Sequence, residues 1–125
     1  MTDVFLLLGA INGLLSVAAG AYGRHGPFDD YAREMFAIAS HYQINHALAL
    51  LAVAWLASGA GRDRRLVALA GAAFALGIVL FSGSLYWFAI AGAPPFPGSA
   101  PAGGWLLMLG WLALIVLALR NWRRR

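Results

Sequence analysis

The residues of this chain that could do chemistry crowd into one stretch, Ser40-His41-Tyr42-Gln43-Ile44-Asn45-His46. His46 is the natural candidate for handling a proton, because an imidazole changes charge near neutral pH. No carboxylate lies in the apolar sequence around it to act as a partner. A zinc-type pair needs two imidazoles at i and i+4 on one helix face. His41 and His46 are five apart, about 140° around a helix, and adding His25 does not make three ligands converge. Cysteine is absent, which removes disulfides, thiolate nucleophiles and Cys-ligated metals. No nucleophile, base and orienting acid stand in a recognisable set. No catalytic residue is therefore assigned, no cofactor or metal is expected, and the chain reads as a non-enzyme.

What remains is hydrogen bonding. His41, Tyr42, Gln43, Asn45 and His46 cover roughly 200° of a helix, leaving Ile44, Leu48, Leu51 and Trp55 as an apolar strip. The helix that carries them is expected to be the most enclosed, because polar side chains in a membrane face the bundle interior or water. Asn12, Ser82, Ser84 and Tyr86 occur in other apolar stretches. Counted from the outer ends at about 1.5 Å per residue, Gln43 and Ser82 lie about 12 Å deep, and Asn12 and His46 about 15–17 Å. Tyr42, Ser84 and Tyr86 are a little shallower. One polar layer is expected in the outer half of a bundle, with His46 facing the first or third helix and bonded to Asn12, Ser82 or Tyr86. Packing by interhelical hydrogen bonds, at about 0.6 kcal/mol each, competes with a proton path, and with a quinone or haem pocket lined by Tyr42, His46 and Tyr86.

Four apolar segments must position these residues, at about 4–22, 35–57, 66–90 and 103–119, and none contains Asp, Glu, Lys or Arg. Each is long enough for a bilayer that needs about 20 apolar residues. Of 125 residues, 62% are hydrophobic and 11% charged, against about 45–50% and about 25% in soluble domains. Neither an ordinary soluble enzyme nor a disordered chain has this composition. The expected fold is all-α: a polytopic four-transmembrane-helix bundle forming a single domain over 1–125. Small residues at 18–21 resemble a signal cleavage site, but Met1-Thr2-Asp3 supplies no basic region before them, so a retained helix is expected.

The net charge of +4 comes from nine arginines against five acidic residues. These arginines flank apolar segments and form no groove-like stripe, so nucleic acid is not an expected partner. With four spans, Arg62, Arg64, Arg65, Arg120, Arg123, Arg124 and Arg125 share one side, and only Arg24 and Arg33 lie on the other. The positive-inside rule then puts both termini in the cytoplasm. Trp87, Trp105 and Trp122 fall near expected span ends, where amphipathic rings favour the interface. The run 123–125 is expected to anchor the topology; docking of anionic lipid head groups is the sharper alternative.

Two connections have character. Residues 91–102 hold Pro94, Pro95, Pro97 and Pro101 and are expected to be non-helical. In 23–36, Phe28, Tyr31, Ala32, Met35 and Phe36 recur at helical spacing opposite Asp29, Asp30, Arg33 and Glu34. This predicts a short amphipathic interfacial segment between the first two spans, a helical turn or two that bends into the second. In the first span, Gly9, Gly13, Ser16 and Gly20 make a stripe of small residues that continues to Gly23. It is the expected packing face, since small residues let membrane helices approach closely.

Several of these residues fall in motifs: Gly20-Ala21-Tyr22-Gly23 followed by His25; Tyr42-Gln43 with His46; Leu80-Phe81-Ser82-Gly83-Ser84-Leu85-Tyr86; Pro101 with Gly103-Gly104; and Gly110-Trp111. In these the chain resembles the YgdD-like small membrane proteins, a bacterial inner-membrane family of unknown function with eukaryotic transmembrane relatives. The resemblance covers nearly the whole chain. It implies four spans and an inner-membrane location, and it implies no reaction. The expected role is an accessory, scaffold, or lipid- or partner-binding membrane protein. A small transporter or proton conductor is the alternative, and a quinone- or haem-binding redox component a further one. Expected partners are membrane lipids, with further copies of the chain or a larger membrane complex.

Overall fold

The computed structural model describes residues 1–59 and 61–124. Ala60, Arg125 and the side chain of Arg62 lie outside the described residues, so those two expected positive anchors are not placed. Among the described residues four helices carry the chain: α1 (Thr2–His25), α2 (Asp30–Ser58), α3 (Arg64–Ala91) and α4 (Ser99–Trp122), with a 3-10 turn at Gly61–Asp63.

Local chemistry sets the boundaries. The Asp29 carboxylate accepts from the Ala32 amide at 2.8 Å, satisfying one of the free N–H groups at the start of α2. Gly92 ends α3 at φ 74°, a left-handed conformation that costs glycine little. Gly98, at φ 80°, precedes α4. The expectation that 91–102 is wholly non-helical is corrected here, because α4 begins at Ser99 and includes Pro101. A proline in the first turn forfeits only an N–H that has no helical partner there.

The interfacial helical turn expected at 23–36 does run into the second span, but its expected bounds and bend are corrected. Helix α1 runs on to His25, and α2 runs unbroken from Asp30 to Ser58. The amphipathic pattern is the first turns of α2 itself. Its inner members Ala32 and Phe36 start a buried seam that continues through Ala39, Gln43, His46, Leu50 and Val53. Steps of four and three alternate along this seam, which keeps one face of a helix of 3.6 residues per turn against its neighbours.

Helices α1, α3 and α4 are long and apolar enough to cross a membrane. Helix α2 is as long, but His41, Gln43, Asn45 and His46 dilute its apolar character. Only 17% of the most apolar stretch of α1 is buried, and 28% of that of α4. Leu14, Val17, Val79 and Leu112 are among the large apolar side chains left exposed. So much uncovered apolar surface suits a hydrocarbon surrounding and not water.

Helix α1 packs on α2, α2 on α3 and α3 on α4. The outer helices each reach across with one aromatic residue. Phe5 of α1 lies against Gly71 of α3, and Trp111 of α4 reaches His46 of α2. Leu50, Val53, Val67 and Phe74 are fully buried and centre an apolar core on the side of the bundle where the chain termini gather.

The expected glycine face is corrected in part. A Cβ at Gly9 would lie 2.6 Å from Leu51 Cδ2, and one at Gly20 would meet Ser40 Oγ at 3.4 Å, but one at Gly13 would meet nothing within 4 Å. Ser16 is buried and donates to the Gly13 carbonyl at 2.8 Å. The buried positions of α1 are Phe5, Gly9, Ser16 and Gly23, which fall within about 40° of one another around the axis. Gly13 lies about 40° beyond Gly9, outside that sector.

At the end where the termini meet, Asp63 is buried and Arg124 donates to it at 2.6 Å, with Arg120 4.0 Å away. This pairing ties the end of α4 to the turn before α3. Arg124→Gln is expected to cost about 1 kcal/mol, because it leaves a buried carboxylate without its close partner while the lost arginine was half in solvent. Melting in detergent at low and high salt checks this; the deficit should shrink as salt screens the pair.

Candidate functional site

The polar residues meet in two hydrogen-bonded sets. In the first, Gln43 is the hub. Its amide donates to Asn12 Oδ1 at 3.0 Å, and its carbonyl oxygen accepts from the Tyr86 hydroxyl at 2.7 Å. Asn12 in turn donates to the Leu8 carbonyl at 2.9 Å. One chain of bonds thus joins α1, α2 and α3. Ser82 adds a second tie between α3 and α2, donating to the Ala39 carbonyl at 2.8 Å. Phe36 covers the set, with its ring 5.4 Å from that of Tyr86 and 5.7 Å from that of Tyr22. Gly23 permits this, since a Cβ there would overlap the Phe36 side chain.

The second set surrounds His46. The expectation of a partner among Asn12, Ser82 and Tyr86 is corrected: Trp111 of α4 donates to His46 Nε2 at 3.1 Å. His46 Nδ1 lies 2.7 Å from the Tyr42 carbonyl. An indole N–H can only donate and a carbonyl can only accept, so the pair of bonds requires the neutral ring with its proton on Nδ1. The rings of Tyr42, Phe74 and Trp111 stand 5.5–6.1 Å from the imidazole. Gly110 makes room for Phe74, whose ring a Cβ would meet at 2.5 Å.

Other expected members stand apart. Ser84 bonds only to the Leu80 carbonyl of its own helix. His25 is the last residue of α1 and lines a groove between α1 and α2. His41, Tyr42 and Asn45 are exposed, not enclosed, and His41 and Asn45 bond each other at 3.1 Å. The polar run is thus split by the helix period: Gln43 and His46 occupy the buried seam, and their neighbours face outward. Among the described residues, no three of His, Cys, Asp and Glu gather as metal ligands would.

Sequence reasoning missed Trp111 as a partner. The available signal was a tryptophan deep within an apolar segment, where its N–H needs an acceptor. Asp63, the lone acid in an arginine-rich turn, was missed as well.

A bundle of long helices with uncovered apolar flanks, and with Gln43, His46 and Ser82 turned inward, defines the class, a helical membrane protein. Residues 19–104 match the family model described as a protein of unknown function, DUF423. The chain is 37% identical over 120 residues to a UPF0382 membrane protein of Staphylococcus epidermidis, covering 94% of this chain and 96% of the relative. It is 38% identical over 123 residues to the UPF0382 membrane protein YwdK of Bacillus subtilis, covering 94% and 97%. It is 35% identical over 117 residues to a UPF0382 membrane protein of Haemophilus influenzae, covering 91% and 92%. No solved structure matches the chain. The chain belongs to the UPF0382 (DUF423) family of bacterial membrane proteins of unknown function.

Proposed function

We propose that this protein is a non-catalytic scaffold of the bacterial inner membrane. It crosses four times as a single domain, with both termini in the cytoplasm, and it binds lipids, further copies of itself or a larger membrane complex. Its likeness to the YgdD-like proteins is part of the same reading. The observation that carries it is the closure of the polar layer. Both ring nitrogens of His46 have protein partners, and Gln43 is bonded through both its nitrogen and its oxygen. A layer so satisfied holds helices together and offers no free group to a proton or a ligand. The 29-residue length of α2, with Gln43 and His46 turned inward, supports its being the fourth span.

Reconstituted in vesicles carrying a pH gradient, the protein and its His46→Gln variant should dissipate the gradient no faster than empty vesicles. A flux that disappears in His46→Gln would overturn the scaffold reading. The orientation rests on Arg64, Arg65, Arg120, Arg123 and Arg124 at one end against Arg24 and Arg33 at the other. A green fluorescent protein fused at the C-terminus should fluoresce, and alkaline phosphatase fused there should be inactive. The reverse pattern would invert the topology.

A further inference from the structure

Between the outer parts of α1 and α2 lies a groove of about 730 Å³, separate from the closed polar layer. Arg24 and Arg33, the two arginines at that end of the bundle, both line it, together with His25, Ser40 and His41. Asp29, Asp30 and Glu34 are close in sequence, yet no carboxylate lines the groove. Neither arginine is in an ion pair among the described residues; the pairs found there are those of Asp63.

Two of the donors are already held in place. Arg33 Nε donates to the Phe28 carbonyl at 2.9 Å, which orients the guanidinium and leaves both Nη groups unused. The Asn45 amide lies 3.1 Å from His41 Nε2; with the amide donating, Nδ1–H of that ring stays available. Guanidinium groups beside an imidazole donor suit the oxygens of a phosphate; the Ser40 hydroxyl is spent on the Ala37 carbonyl at 3.2 Å. The volume is within the range of small-molecule sites, about 300–1,000 Å³. The same groove is walled by Val17 and Ile44 toward the middle of the helices, and Val17 is 68% exposed. A free anion has no use for that apolar wall, whereas an acyl chain does.

We infer that the α1–α2 groove is a binding site for an anionic membrane phospholipid, with Arg24 and Arg33 on its phosphate and an acyl chain along Val17 and Ile44. The inference rests on the membrane-embedded, lipid-binding reading above. It does not depend on orientation, which decides only the leaflet.

The test is native mass spectrometry of the full chain in detergent with phosphatidylglycerol, phosphatidylcholine or inorganic phosphate. The comparison is between the parent, the double variant Arg24→Gln/Arg33→Gln and a charge-matched control at the opposite end, Arg64→Gln/Arg65→Gln. The parent should retain phosphatidylglycerol in preference to phosphatidylcholine. The groove variant should lose roughly tenfold or more of that affinity, and the control should not. Should the double variant fold poorly, Arg24→Gln alone, which breaks no side-chain hydrogen bond found among the described residues, should still lose severalfold. Equal loss in the control would mean diffuse charge attraction, and no preference between the two lipids would mean no headgroup site. Displacement of the lipid by inorganic phosphate at equal affinity would mean a soluble-anion site. Each of these three outcomes overturns the inference. The vesicle experiment above reads flux and not lipid retention, so failure of the scaffold reading and failure of the lipid site are separately visible.

Discussion

Gly103→Ala is expected to lower the melting temperature of the detergent-solubilised protein sharply and to reduce the yield of monodisperse material. A Cβ at Gly103 would approach the backbone of α3, with Phe81 Cα and the Leu80 carbonyl carbon each 2.7 Å away, and the Phe81 nitrogen closer still. Backbone atoms cannot turn aside as a flexible side chain can, so α3 and α4 must separate along their shared length. Overpacking of this kind costs about 3 kcal/mol or somewhat more. Gly13→Ala is the matched comparison. Its Cβ would meet nothing within 4 Å, and alanine is the better helix former by about 1 kcal/mol. It should be neutral or mildly stabilising. Equal melting of Gly103→Ala and the parent would mean that α3 and α4 do not approach so closely.

Replacing Gln43 by leucine should cost about 1–2 kcal/mol although the volume is nearly kept. The Tyr86 hydroxyl loses its acceptor and Asn12 Oδ1 its donor at once. Polar groups orphaned away from water are costly, tempered by the modest measured worth of interhelical bonds in membranes. A double-mutant cycle isolates the effect. Gln43→Leu combined with Tyr86→Phe should destabilise by about 1 kcal/mol less than the sum of the two single changes, because the bond between them can be lost only once. Strict additivity would mean that the two side chains do not meet. Denaturant or thermal melts in a single detergent supply all four corners of the cycle.

The four helices and the membrane class are legible in the amino-acid sequence. Apolar runs of this length without charges can satisfy their backbone in lipid only as helices. Depth is legible too. The uniform rise per residue places Asn12 and Gln43 within a few Å of each other, and these two bond; Tyr86, set shallower by the same count, also bonds to Gln43. Spacing likewise marks Phe36 and Ala32 as members of an apolar face, and both are buried.

What spacing within one helix leaves open is how that helix is rotated against the others, and which others it touches. That rotation turns Gln43 and His46 inward and His41, Tyr42 and Asn45 outward. It also moves the close-packed face of α1 onto Phe5, Gly9, Ser16 and Gly23 and away from Gly13. The choice of neighbour gives His46 a partner on α4 in Trp111. It brings Gly103 against the backbone of α3 as well. Periodicity fixes angles relative to a helix's own axis, whereas these contacts follow from the joint packing of helices far apart in sequence, so only the tertiary structure decides them.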